Sequence, residues 1–288
     1  MIWTLVVLAV LECAVFNYRF KRGDYNAVLT QLVGTEVTAH RGASAELPEN
    51  TMLAFREASR LGADYIELDV QMTRDGEIVV AHDRNLARVA GVKKNVDEMT
   101  WAEIQELEVG SYLGEEFRGE KIPTLREVVH FAKEAGLKMN IELKETEADG
   151  FVERVIEVVD EEEFRSGVVI SSGAYELLEQ VEEMAGELVT IYVMGMMYGN
   201  VLPLSAADGF SLEASNITLE FVNAAHEAGK VVYAWTVNSE DKIWRMVEIG
   251  VDNIVTDNVT LAQDVISQNR TSGFINEYMR LVRGVLWW

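Results

Sequence analysis

The stretch Tyr65–Asp83, YIELDVQMTRDGEIVVAHD, decides how the rest of the chain is read. Ile66, Leu68 and Val70 alternate with Glu67 and Asp69, the chain turns at Asp75-Gly76, and Ile78–Ala81 returns to His82-Asp83. Alternation with a period of two puts one set of side chains on each face of a strand. Asp-Gly between two such runs predicts a two-residue hairpin of type I′, which needs positive φ at both central positions. With that turn Asp69 faces His82, opposed Cβ atoms lie about 5 Å apart, and Glu67 shares their face. A half-buried strand with a solvated polar face has the same pattern. Here, however, the polar face carries Glu, Asp and His, which repel or shift one another unless a cation sits among them.

From Glu36 onward, strand and helix patterns alternate around this hairpin. Strands are expected at Glu36–His40, in the quoted stretch, and at Lys138–Lys144, Val168–Ser171, Leu188–Val193, Gly209–Leu212, Val231–Val237 and Asn253–Thr256. Between them, Thr51–Leu61 reads as a helix capped by Asn50 or Thr51 and stopped by Gly62. Thr124 and Glu127 form a capping box for a helix to Ala135. Helices follow at Phe151–Val159 and near 174–185, 218–228, 239–248 and 259–268. Eight βα units in about 235 residues predict an α/β fold, a TIM (β/α)₈ barrel over 36–268. An open doubly wound sheet is the alternative, but no Gly-rich phosphate loop follows the first strand. The segment of about 86–123 lacks the barrel's periodicity and reads as a small insertion after the second-strand hairpin.

A barrel places its chemistry at the carboxyl ends of its strands. His40 and Arg41 end the first strand, Glu67 and Asp69 the second, Glu142 and Lys144 the third, and Trp235 the seventh, with His82 returned by the hairpin. Three carboxylates without a cysteine partner suit one hard divalent cation, Mg²⁺ or Ca²⁺, with Mn²⁺ as an alternative. Arg41 offers a planar fork for phosphate oxygens and Lys144 a point charge. Two histidines at one rim can divide general-base and general-acid work near neutral pH. Together these groups point to phosphoryl transfer.

Composition sets outer limits. The 288-residue chain carries a net charge of −23, which excludes nucleic acid as a natural partner. Cys13 is the only cysteine, so neither a disulfide framework nor a thiolate metal site is available. Residues 1–22 begin with an apolar run interrupted only by Glu12 and end in Arg19, Lys21 and Arg22. That run is near the lower length limit for a membrane-spanning helix, and 23–35 then reads as a linker. A membrane-associated location follows as an expectation, with packing of that helix on the domain as the alternative. Residues 269–288 have apolar positions at helical spacing with Arg280 and Arg283 between them, the pattern of an amphipathic helix for an interface. His130 and His226 are expected on the surface, and the acidic run Asp160–Glu163 in a solvated loop. Met194–Tyr198 reads as core or loop packing, or as lining for an apolar substrate path.

The ordered series His40-Arg41-Gly42, Pro48-Glu49-Asn50-Thr51, Glu67-x-Asp69, His82-Asp83, Ile122–Leu125, Asn140–Lys144 and Ala234–Asn238 resembles the motifs of the glycerophosphodiester phosphodiesterases. The likeness runs from about Glu36 to Asn258, and its apolar start resembles the membrane-associated members. The resemblance implies a metal-dependent barrel that cleaves glycerophosphodiesters, small or lipid-derived, to sn-glycerol 3-phosphate and an alcohol. It carries metal ligation onto Glu67, Asp69 and Glu142, acid/base roles onto His40 and His82, and phosphate contacts onto Arg41 and Lys144. Trp235, from its strand-end position, reads either as core or as a wall lining the substrate, and Glu49, Asn50 and Asp83 would support the site. The family mechanism has a glycerol hydroxyl attack phosphorus to give a cyclic phosphate that water opens. A lysophospholipase D-like or C-like activity on lipids and a non-catalytic membrane-linked binding module are the alternatives.

Overall fold

The computed structural model describes residues 34–144, 148–196 and 199–268. Eight parallel strands close a barrel: β1 (Glu36–Ala39), β2 (Tyr65–Met72), β4 (Lys138–Leu143), β5 (Val168–Ser172), β6 (Val189–Met194), β7 (Gly209–Glu213), β8 (Val231–Trp235) and β9 (Asn253–Thr256). β1 closes it by pairing with β9 on one side and β2 on the other. The ninth strand, β3 (Ile78–Val80), runs antiparallel along the upper half of β2. Helices Met52–Arg60, Leu125–Ala135, Phe151–Glu161, Tyr175–Ala185, Leu219–Glu227 and Glu240–Ile249 return the chain between strands, and 259–268 is helical after β9. This is the expected TIM barrel.

Both faces of β2 are buried, which is why its sequence reads differently on each. Ile66, Leu68 and Val70 point outward and join the main core beneath the helices. Tyr65 points inward and meets Val169, Ile191, Tyr233 and Val255 in a separate cluster that floors the barrel interior. Glu67 and Asp69 follow Tyr65 at period two, so they stand above that apolar floor. The helix ends obey local chemistry: Thr51 caps the first helix by accepting the Ala54 N–H, and Thr124 with Glu127 makes the anticipated capping box.

The hairpin differs from its expected form. The N–H of Thr73 donates to the Glu77 carbonyl at 2.9 Å, leaving Arg74, Asp75 and Gly76 as a three-residue loop. Only Gly76 takes positive φ (87°), which a three-residue loop requires once, whereas type I′ requires it twice. Asp75 is committed elsewhere: its carboxylate accepts from Thr73 Oγ1 at 2.7 Å and from the Trp101 backbone at 2.9 Å. The register therefore pairs Val70 with Val80, and Ala81 rather than His82 stands opposite Asp69. A one-residue shift would send His82 to the wrong face of a continuing strand. The strand ends at Val80, and the Gln71 amide holds the carbonyls of Ala81 (2.7 Å) and His82 (3.2 Å), so irregular chain brings His82 to the mouth.

The segment between β3 and Leu125 has its own small core of Val79, Ala81, Leu86, Val96, Met99, Ile104, Val109 and Ile122, built on short helical turns. Three smaller expectations change. Asp160 and Glu161 complete the helix Phe151–Glu161 instead of forming a loop. His226 is half-buried and bonds Asp252 through Nε2 at 2.9 Å, while His130 does lie at the surface beside Glu162. The membrane location is also corrected: among the described residues no helix is long and apolar enough to cross a membrane. Residues 1–22, most of the linker 23–35, the expected amphipathic helix 269–288, and 197–198 of the Met-rich stretch lie outside the described residues.

Two glycines separate backbone strain from crowding. Gly76 needs positive φ but leaves open space, with nothing within 4 Å of where a Cβ would stand, whereas Gly42 (φ 83°) would put a Cβ 2.7 Å from that of Ala54. Gly76→Ala is expected to cost about 1–2 kcal/mol, the ordinary left-handed penalty. Gly42→Ala should cost clearly more, and urea unfolding of the two variants checks the order.

Candidate active site

The loop after β1 is bent by two non-glycine residues in the left-handed region, Arg41 and Asn50, both at φ 56°. Such conformations persist where the surroundings over-determine them. Here the bend aims the Arg41 backbone N–H at Glu67 Oε2, 2.7 Å away. Asn50 closes the same loop by donating its backbone N–H to the Arg41 carbonyl at 2.9 Å, and its amide donates to Asp69 Oδ2 at 2.8 Å. Glu49, between them in space, accepts from Arg41 Nη1 at 2.9 Å.

Parallel pairing of β2 with β4 sets Asp69 directly beside Glu142. Oxygens of Glu67, Asp69 and Glu142 lie within 4.8 Å of one another, so the three carboxylates converge as one cluster. Lys144 reaches into it, with Nζ 2.7 Å from Glu142 Oε1 and 3.0 Å from Asp69 Oδ1. Arg41 Nε stands 3.3 Å from Asp69 Oδ2. These cations, with His82 and the Asn50 amide, outweigh the burial that would raise Asp69 and hold its carboxyl below the ordinary range. Glu67 goes the other way: burial first, then the charge of Asp69, pushes it up to about 8.

Both histidines are anchored through Nδ1. His40 meets Asp257 Oδ1 at 2.6 Å, and Asp257 is itself held by Ser44 and Asn238. His82 meets Asp83 Oδ1 at 2.8 Å. A carboxylate on Nδ1 favours the tautomer with its proton there and leaves Nε2 as the atom for proton transfer. Burial pulls His40 down, but Asp257 and Glu67 outweigh it and leave its imidazole above the ordinary value. Trp235 ends β8 half-buried, with its indole N–H donating to the Ser211 carbonyl at 3.1 Å.

Of the residues anticipated at the strand ends, Arg41, Glu67, Asp69, Glu142 and Lys144 are joined by direct contacts, and His40 and His82 feel the charge of Glu67 and Asp69, whereas Trp235 packs against the apolar cluster inside the barrel. Three partners were not anticipated: Asp257, Arg88 and Tyr112. Asp257 follows Thr256, which pairs with Ala39 across the barrel seam, so strand-end logic applied to the last strand would have found it beside His40. Arg88, from the insertion, bonds both Glu49 and Asp83, and Tyr112 Oη accepts the Glu49 backbone N–H at 3.2 Å. No barrel pattern marks those two.

The residues fit a divalent cation. The ligand atoms are hard oxygens, as Mg²⁺, Ca²⁺ or Mn²⁺ prefer. Asp69 Oδ1 is buried against the Lys144 ammonium at 3.0 Å and has no other polar partner, which leaves a lone pair for a cation. The raised Glu67 carboxyl would ionise more readily with positive charge beside it.

A parallel barrel with three converged carboxylates, two carboxylate-anchored histidines and an arginine carries the groups that metal-assisted phosphodiester hydrolysis uses. Residues 40–261 match the model of the glycerophosphoryl diester phosphodiesterase family, and the chain belongs to that family. A glycerophosphodiester phosphodiesterase of Caldanaerobacter subterraneus is 39% identical over 232 residues, covering 77% of this chain and 94% of the relative. A solved phosphodiesterase of Oleispira antarctica in complex with the product sn-glycerol-3-phosphate matches at TM-score 0.73 and 27% identity, covering 81% of this chain and 96% of that one. A human lysophospholipase D is 25% identical over 274 residues, covering 79% and 85% respectively. The chain is a glycerophosphodiester phosphodiesterase.

The raised Glu67 carboxyl has a signed consequence. The unfolded chain releases this proton near the ordinary glutamate value of 4.5, the cation-free fold only near 8, so the cation-free protein loses stability as pH rises between them. Cation binding expels the proton, so thermal stabilisation by Mn²⁺ should grow with pH up to about 8 and then level. Glu67→Gln should flatten that profile in a thermal-shift titration.

Proposed function

We propose that the enzyme hydrolyses glycerophosphodiesters to sn-glycerol 3-phosphate and an alcohol, with His40 and His82 as a reciprocal acid/base pair. The observation that carries this reading is the shared geometry of the two imidazoles. Each has Nδ1 fixed by an aspartate, at 2.6 and 2.8 Å, beside one cluster of three carboxylates.

Glu67, Asp69 and Glu142 would hold one divalent cation, which supplies positive charge for the phosphate oxygens and the neighbouring glycerol hydroxyl. Arg41 adds a guanidinium to the same phosphate, and its links to Glu49 and Asp69 keep it in place. Lys144 spans Asp69 and Glu142, and its ammonium would serve the phosphate with those carboxylates engaged by the cation. In the first step one imidazole Nε2 takes the proton of a free glycerol hydroxyl as its oxygen attacks phosphorus. The bond from phosphorus to the alcohol breaks, and the other imidazolium protonates the departing oxygen. The product is a cyclic glycerol phosphate. In the second step the roles reverse, and the proton lost by attacking water returns to the ring oxygen that leaves, giving glycerol 3-phosphate. Trp235 lines the mouth on the β8 side.

A lysophospholipid is the second candidate substrate. Tyr112 and Leu113, exposed at 39% and 44%, sit on the insertion next to Glu49, where an acyl-bearing alcohol would find apolar surface.

Release of glycerol 3-phosphate from glycerophosphocholine by the purified chain tests the reading. Activity should vanish with EDTA and return with Mg²⁺, Ca²⁺ or Mn²⁺. Glu67→Ala and His82→Ala should each lower kcat at least about 100-fold. Near-wild-type turnover by His82→Ala would refute the paired-histidine scheme. Lysophosphatidylcholine turned over in preference would select the lipid substrate. In a separate variant, Asp257→Asn should shift the basic group of the pH–rate profile downward, because the contact that raises His40 is lost.

A further inference from the structure

Arg88 lies on the short helix Ala87–Ala90 of the insertion, outside the barrel, yet every guanidinium nitrogen is engaged. Nε donates to Asp83 Oδ2 at 2.6 Å, and Nη1 and Nη2 donate to the two oxygens of Glu49 at 2.8 and 2.7 Å. Each of those carboxylates has a second partner that belongs to the site. Asp83 Oδ1 meets His82 Nδ1, and Glu49 Oε1 accepts from Arg41 Nη1. A continuous chain of charged contacts thus runs from His82 through Asp83, Arg88, Glu49 and Arg41 to Asp69.

The members come from segments that barrel geometry does not lock together: the loop after β1, the exit from the hairpin, and the insertion. Without a cation between them, Asp83 and Glu49 would repel and turn toward solvent, and each would release the side chain it orients. A guanidinium answers this geometrically, since its flat array of donors can take two carboxylates along different edges. An ammonium has no such fixed array. Arg88 keeps 44% of its side-chain surface exposed, so its ion pairs contribute little to folding stability. The insertion also has an apolar core of its own that does not need it.

We propose that Arg88 is a positioning residue. It ties the proton-transferring His82 to the phosphate-binding Arg41 through Asp83 and Glu49, so that both meet one substrate in a single arrangement. It touches no substrate itself. The inference rests on the roles given above to His82 and Arg41.

The experiment compares Arg88→Ala, Arg88→Lys and His82→Ala in the full chain, with glycerophosphocholine and saturating Mn²⁺. Both Arg88 variants should keep the wild-type melting temperature within a few degrees and the wild-type Mn²⁺-induced shift, while kcat falls about 10–100-fold, the usual effect of losing a supporting contact. The losses from Glu49→Gln and Asp83→Asn should be coupled in the wild-type background and independent in Arg88→Ala, as expected if Arg88 links them. Four results would overturn the proposal: kcat within twofold of wild type in Arg88→Ala while His82→Ala is inactive; full activity in Arg88→Lys; loss of the Mn²⁺ shift in both variants, which marks a structural role; or independent effects in the wild-type background. The first of these leaves the histidine mechanism standing. An active His82→Ala removes that mechanism and the proposal with it.

Discussion

The constraint on which the site depends is the mutual repulsion of Glu67, Asp69 and Glu142 at the barrel mouth. Two full charges within 4.8 Å of each other at an effective dielectric of about 20 would cost at least about 3.5 kcal/mol, and ionising all three carboxylates would set up three such pairs. The surroundings can be read as answers to that cost. Arg41 and Lys144 place cations against Asp69, Asn50 donates to it, and the bent loop after β1 lends Glu67 a backbone N–H. Arg41 and Asn50 accept a left-handed backbone because these contacts hold them there. Even so the charges are not fully balanced: burial and Asp69 push the Glu67 carboxyl up to about 8. A cation among the three carboxylates would relieve that repulsion.

Barrel and insertion divide the work. The strands fix the carboxylates through backbone register, with Asp69 against Glu142. The insertion contributes charge and hydroxyl contacts to the groups around them, through Arg88 and Tyr112. Rigid ligation and adjustable support are therefore carried by different parts of the chain, each with a separate apolar core.

Most of the barrel is legible in the sequence because its signals are local. Period-two apolar runs mark strands whatever the tertiary context, and Thr124 with Glu127 marks a helix start without reference to anything distant. The hairpin register departs by one residue from its turn signal because Asp75 is held by the Trp101 backbone, a contact 26 positions away that no turn rule contains. Asp257 escapes notice for a related reason: its meaning comes from His40, with which it shares no local pattern. His226 reads as a surface residue from its helix, whereas Asp252 on the approach to β9 draws it inward. The membrane location rests on an apolar run alone, and hydropathy of one segment is a weak guide to where a whole enzyme resides.

The hydrogen bond between His40 and Asp257 spans 217 positions and crosses the line where the first strand meets the last. Joining such distant points is entropically costly, and the ring of strands returns that cost only when it is complete. An unfinished chain on the ribosome, or one cut within its later strands, has Glu67, Asp69 and Glu142 but lacks the carboxylate that anchors His40. On the proposed role of His40, turnover would then be a certificate of closure, issued when the first and last strands have found each other.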